Sequence, residues 1–197
     1  MSKADPASHK KERNKTIRWV VTIFLVTIFI SATISLISEE IMAVSGMAVA
    51  FVILLAIILI GILFDIIGVA VTSADERPFH SMAARKVPGA REAINLLRSA
   101  EKVSSICNDV VGDICGVVSG SASATIAAQI LVKFDFSWPM VVSLIMSALV
   151  AGLTVGGKAV GKTFAINSST KIVYGVGKML YFCSHISDVF KKKKKSK

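Results

Sequence analysis

Residues 106–124 read ICNDVVGDICGVVSGSASA, and the reading of this stretch decides the fold. Gly112, Gly116, Gly120 and Ala124 recur every four residues, with Asn108 one step earlier in the same series. On a helix this spacing predicts a groove nearly free of side chains, where another helix backbone can approach closely. Asp109 and Asp113 are also four apart and fall on the flank of that groove. No residue from 114 to 132 is charged, which predicts that the face belongs to a membrane helix. Carboxylates and an amide entering lipid are costly unless they meet protein, water or a cation. The stretch is therefore expected to wall a polar cavity inside a helical membrane protein. Two plainer readings stay open: a packing face with both aspartates at the aqueous boundary, and Asn108 as the cap of the helix start.

Composition agrees with a bilayer setting. Of 197 residues, 53% are hydrophobic and 18% charged, and mean hydropathy is +0.67. That is too apolar for an ordinary soluble domain and predicts an all-α integral membrane protein. The net charge is +10, but Lys and Arg cluster at the two ends and in one central loop. Such clustering points to anionic lipid headgroups. No aromatic–basic interleaving suited to nucleic acid is present. Cys107, Cys115 and Cys183 are odd in number and form no CxxC pair, so free thiols are expected.

Four uncharged runs predict four transmembrane helices with amphipathic juxtamembrane helices. Residues 1–18 are polar and read as a flexible basic tail, and 19–38 are uncharged and long enough to span. A cleaved signal peptide is the rival for 19–38, but the run is long for one and no A-x-A site follows. Glu39 and Glu40 read as a short acidic turn. The second run covers 41–64 and stays apolar beyond Asp65 to 72, which puts Asp65 well inside a span or near its inner end. Its short side chain snorkels poorly, so a buried partner is expected. In loop 73–105, Ala90, Ala93, Ile94, Leu97 and Ala100 suggest an amphipathic helix on the membrane surface. The third span is placed at 107–132, followed by a turn with Phe134, Phe136 and Trp138, aromatics suited to an interface. The fourth covers 136–157, where Gly152 and Gly156 allow close helix contact. Beyond it, Ile172, Val176, Met179, Cys183, Ile186 and Phe190 suggest a second surface helix ending in a polybasic tail of Lys191 to Lys195 and Lys197.

Lys and Arg also set the orientation. Six lie in the tail, six in loop 73–105 and ten from Lys158 onwards, against one (Lys133) in the two opposite turns. The positive-inside rule then puts both termini and the central loop in the cytoplasm of a multi-pass cell-membrane protein.

Three segments in order resemble the transmembrane domain of the CNNM/CorB–CorC family of magnesium transporters. Phe64 with Ala70, Val71, Thr72 and Ser73 is similar to the family's F-S-G-x-E-x-A-L-x-S helix. Gly89, Ala90, Ala93, Leu96, Leu97 and Glu101, leading to Ser105, Ile106 and Asn108, resemble its G-A-x-x-A-x-x-L-L run and I-G-N helix. GKAVGKTFA at 157–165 is similar to G-E-x-x-P-K-x-x-A. The resemblance covers 61–172 and implies a homodimer of three-span cores, a juxtamembrane helical belt, and a cation held between helices with exchange against sodium. Residues 19–38 would be an extra span within such a plan. No CBS pair follows the belt, so ATP-linked regulation would need a separate regulatory subunit. Asp65 stands where the family has serine, Gly68 where it has a glutamate, Lys158 where it has another glutamate, and Gly161 where it has proline. Only Asn108 carries over as a ligand-type match.

Two expectations follow. The first is a divalent-cation transporter or exchanger, with Asp65, Asn108, Asp109 and Asp113 as oxygen ligands to a transported Mg2+ and no tightly bound cofactor. The second is a non-transporting scaffold or regulatory subunit, with Lys158 in the cavity paired to an aspartate. Enzyme motifs are absent: no HExxH, no nucleophile elbow and no phosphate loop, and His9, His80 and His185 all fall outside the uncharged runs.

Overall fold

The computed structural model describes residues 6–134 and 138–195, so the readings at Phe136 and Lys197 lie outside the described residues. It is all-α: α1 Pro6–Val44, α2 Met47–Ser73, α3 Arg77–Ala84, α4 Ala90–Arg98, α5 Ala100–Ser105, a π-helical segment Ile106–Gly112, α6 Asp113–Phe134, α7 Pro139–Asn167 and α8 Ser169–Lys195. Four stretches are long and apolar enough to cross a bilayer: Ile17–Met42, Met47–Ser73, Ala100–Phe134 and Pro139–Asn167. At about 1.5 Å per residue, α2 is about 40 Å long, enough to span about 30 Å of hydrocarbon with some tilt.

The bundle is built around α2, which packs on α6, α7 and the π segment. Its buried positions Ala50, Leu54, Ile58, Gly61 and Gly68 follow one helical stripe, and Asp65 occupies the intervening place on that stripe. Small residues let the backbones approach. A methyl on Gly61 would lie 2.9 Å from Cβ of Cys115, and one on Gly161 would lie 2.8 Å from Cγ1 of Ile66. Two apolar cores result. One joins Met42, Leu54 and Ile58 to Ala122, Ile126, Met146 and Val150. The other joins Val69–Val71 of α2 to Phe79, Ala93, Leu97, Ala165 and Val173. Asp65 lies along α2 between them.

Helix α1 lies at the edge, against α6. Gln129 Nε2 donates to the Met42 carbonyl at 2.9 Å, satisfying one of the acceptors that a helix end leaves open.

Several sequence readings are corrected. The described part of the basic tail is helical from Pro6, continuous with the first span. Glu39 and Glu40 lie inside α1 and not in a turn, because nothing breaks the helix before Gly46. The fourth span does not stop at Gly157; α7 continues to Asn167 and holds Lys158 within it. The apolar positions of α4 do share one face, but Ala90, Ala93, Ile94 and Leu97 are buried by α8, α3 and the end of α2 and not by a membrane surface, so this face is spent on protein. On α8 the inward residues are Ser169, Val173 and Gly177, whereas Met179 and Cys183 are exposed.

Candidate intramembrane site

Asp65 of α2 and Lys158 of α7 meet where the two helices cross. Lys158 Nζ lies 3.5 Å from Asp65 Oδ1, and the two side chains retain 26% and 15% of their exposure. The other ion pairs among the described residues, Arg77–Asp75 and His80–Glu76, are local and exposed. The third wall is the π segment. A methyl on Gly112 would lie 3.2 Å from Lys158 Nζ, 3.4 Å from the Cys107 carbonyl oxygen and 4.0 Å from Asp65 Oδ1. A side chain there would crowd the ammonium by a few tenths of an ångström.

Asn108 sits against Gly68, one turn beyond Asp65 on α2, so close that a methyl there would overlap its amide. Its Nδ2 donates to Ser104 Oγ at 3.1 Å, while its Oδ1 is buried and has no hydrogen-bond partner among the described residues. A buried acceptor left alone costs about 1–3 kcal/mol, so Asn108 is held there by its surroundings. Asn108 lies within the π segment and does not cap a helix start, as the chain is already helical from Ala100. π segments insert an extra residue per turn and occur often at functional sites.

The other sequence-selected acids are elsewhere. Asp109 is exposed and accepts a 2.8 Å bond from Ser105, and Asp113 is exposed. The glycine series also leaves the site: Gly112 is buried, but methyls on Gly116 and Gly120 would meet nothing within 4 Å. The inward face of α6 carries Ile114, Val118, Ala122 and Ile126, a series of the same spacing set two residues, about 200°, out of phase with the glycines.

Chemically, the site offers one carboxylate already matched by an ammonium, and one spare amide oxygen nearby. A hard divalent ion takes six or more oxygens, commonly with several carboxylates. No group of three or more His, Cys, Asp or Glu side chains able to hold a metal occurs among the described residues. The sequence singled out Asp65, Asn108, Gly112 and Lys158, and the structure brings these together. Gly61, Gly157 and Gly161, which let α6 and α7 close on α2, were not selected. Their signal was their position beside Asp65 and Lys158 in the chain.

The chain matches no protein-family model and no curated protein sequence.

Proposed function

We propose that this chain is a membrane scaffold or regulatory subunit with a cation-transporter-like core, in which the Lys158 ammonium takes the place of a transported ion. The observation that carries the reading is the 3.5 Å contact of Lys158 with Asp65 between α2 and α7. An intramembrane acid needs a counter-charge, and here a neighbouring helix supplies it covalently. The same link ties α2 to α7. Asp109 and Asp113, both exposed, contribute no ligand to this position in the single chain.

The open glycines Gly116 and Gly120 of α6 and Gly152 and Gly156 of α7 support a second copy of the chain packing on these faces. The positive-inside count supports cytoplasmic termini in a cell membrane.

The test is Mg2+ flux into proteoliposomes, read with an internal dye. The purified chain is expected to carry none, and Lys158→Glu is expected to bind divalent ions that the parent does not. Flux by the parent that is abolished in Asp65→Asn would overturn the reading. It would establish the second one, a divalent-cation transporter from which Lys158 withdraws. The orphaned Oδ1 of Asn108, an oxygen without a partner beside the pair, favours that second reading.

A further inference from the structure

The α3–α4 turn is built tightly and displays a charge where the backbone alone would select glycine. Lys86 N–H donates to the Ala83 carbonyl at 3.0 Å and Val87 N–H to the Met82 carbonyl at 3.0 Å, the paired bonds of a Schellman cap. Lys86 occupies its left-handed position, at φ 57°, where a side chain is disfavoured. Gly89 follows at φ 86°, and a methyl on it would lie 2.6 Å from Cα of Lys178. One on Gly177 would lie 2.6 Å from the Gly89 carbonyl oxygen. The turn is thus clamped on the α8 backbone.

One turn further along α8, Tyr181 and His185 stack at a centroid distance of 4.3 Å, with 3.3 Å between the phenol oxygen and Nε2. Between this pair and the clamped turn opens a cavity of about 420 Å³, lined by Lys86, Arg91, Glu92, Tyr181 and His185. Two fixed cations and one carboxylate leave a net single positive charge. Both cations have free donors, since no hydrogen bond or ion pair engages either side chain among the described residues. Met179, Leu180 and Phe182, exposed at 60%, 42% and 52%, follow on the same stretch of α8.

We propose that this cavity binds a singly charged phosphate ester between Lys86 and Arg91. The ester is either the headgroup of an anionic glycerophospholipid, its chains against the exposed apolar residues of α8, or a phosphodiester free in the aqueous phase. Guanidinium and ammonium donors suit phosphate oxygens, and Glu92 weighs against a fully charged dianion. Left-handed strain at Lys86 is explained if its ammonium is needed there. The inference does not depend on the reading of Asp65 and Lys158.

The test uses the full chain in detergent, titrated with phosphatidylglycerol or phosphatidylcholine and read by native mass spectrometry. One phosphatidylglycerol per chain is expected to bind in preference to phosphatidylcholine. Lys86→Gly and Arg91→Gln are each expected to weaken it about tenfold, whereas Lys102→Gln outside the cavity leaves it unchanged. Lys86→Gly suits the turn, so its lipid-free melting temperature should not fall, which separates lost binding from lost folding. Two soluble, singly charged diesters, glycerophosphoglycerol and dimethyl phosphate, identify the source. Binding of these that displaces the lipid and needs Lys86 assigns a soluble ester, and lipid binding that they leave intact assigns the headgroup. Equal binding by parent, Lys86→Gly and Arg91→Gln, or no binding of any probe, would overturn the site.

Discussion

Two sets of glycines on the π segment, α6 and α7 have opposite surroundings. Methyls on Gly157 and Gly161 of α7 would strike Ile62 and Ile66 of α2, and one on Gly112 of the π segment would crowd the Lys158 ammonium of α7. Gly116, Gly120, Gly152 and Gly156 face nothing within 4 Å in the single chain. Spacing is the same in both sets, so spacing alone does not say which glycine is a contact. The deciding factor is phase: α7 turns Gly157 and Gly161 inward in line with Val150 and Ala165, and Gly152 and Gly156 away. The inner set closes the helices around a charge, and the outer set is available to another molecule in the membrane.

The sharpest break is Gly68→Ala, on the α2 face that meets the π segment. The methyl overlaps the Asn108 amide, which can yield only by leaving its seat against α2 and its bond to Ser104, so a loss of up to about 3 kcal/mol is expected. Thermal unfolding in detergent measures it, and an unchanged midpoint would mean that Asn108 is not seated there. Next is the pair itself. Asp65→Asn or Lys158→Met alone leaves one charge unmatched and should cost about 2–3 kcal/mol, while the double variant recovers most of that. Simple addition of the two losses would deny the coupling.

On the outer face the sign reverses. Gly116→Ala and Gly120→Ala should raise the stability of the single chain by up to about 1 kcal/mol each, through helix propensity. If a second copy packs there, the same variants shift the chain from dimer to monomer in size-exclusion light scattering, and an unaltered mass excludes that packing. Smallest of all, Asp109→Asn and Asp113→Asn should change stability by less than about 0.5 kcal/mol, since both side chains are exposed.

Much of this fold was legible because apolar runs report spans directly. The four runs correspond to the four apolar spans, and Asp65 inside the second is a residue that requires a partner. Helix ends were less legible, because a charge ends a hydrophobic run without ending a helix. Glu39, Glu40 and Lys158 all mark the close of an uncharged run, yet each lies inside a helix. Among the acids, a four-residue spacing grouped Asp109 and Asp113 with the site. Both are exposed, because a shared spacing does not fix which way a series faces, and no residue pattern announces the π segment that carries Asp109. Partnering was the other limit: the periodicity of α4 is clear, but nothing in it distinguishes a lipid surface from α8 as the cover.

The distance along the chain between Asp65 and Lys158 has a consequence for biogenesis. The acid lies in the second span and its counter-ion in the fourth, so α2 must enter the bilayer before its partner has been synthesised. An aspartate near a span centre costs about 2.5–3.5 kcal/mol at insertion, which a very apolar helix can absorb. The most apolar 18-residue stretch within Met47–Ser73 has a mean hydropathy of 3.3, the highest of the four spans, against 2.0 within Pro139–Asn167. The most oil-loving segment is thus the one that must wait alone with an unmatched charge, and the later lysine enters beside an acid already in place.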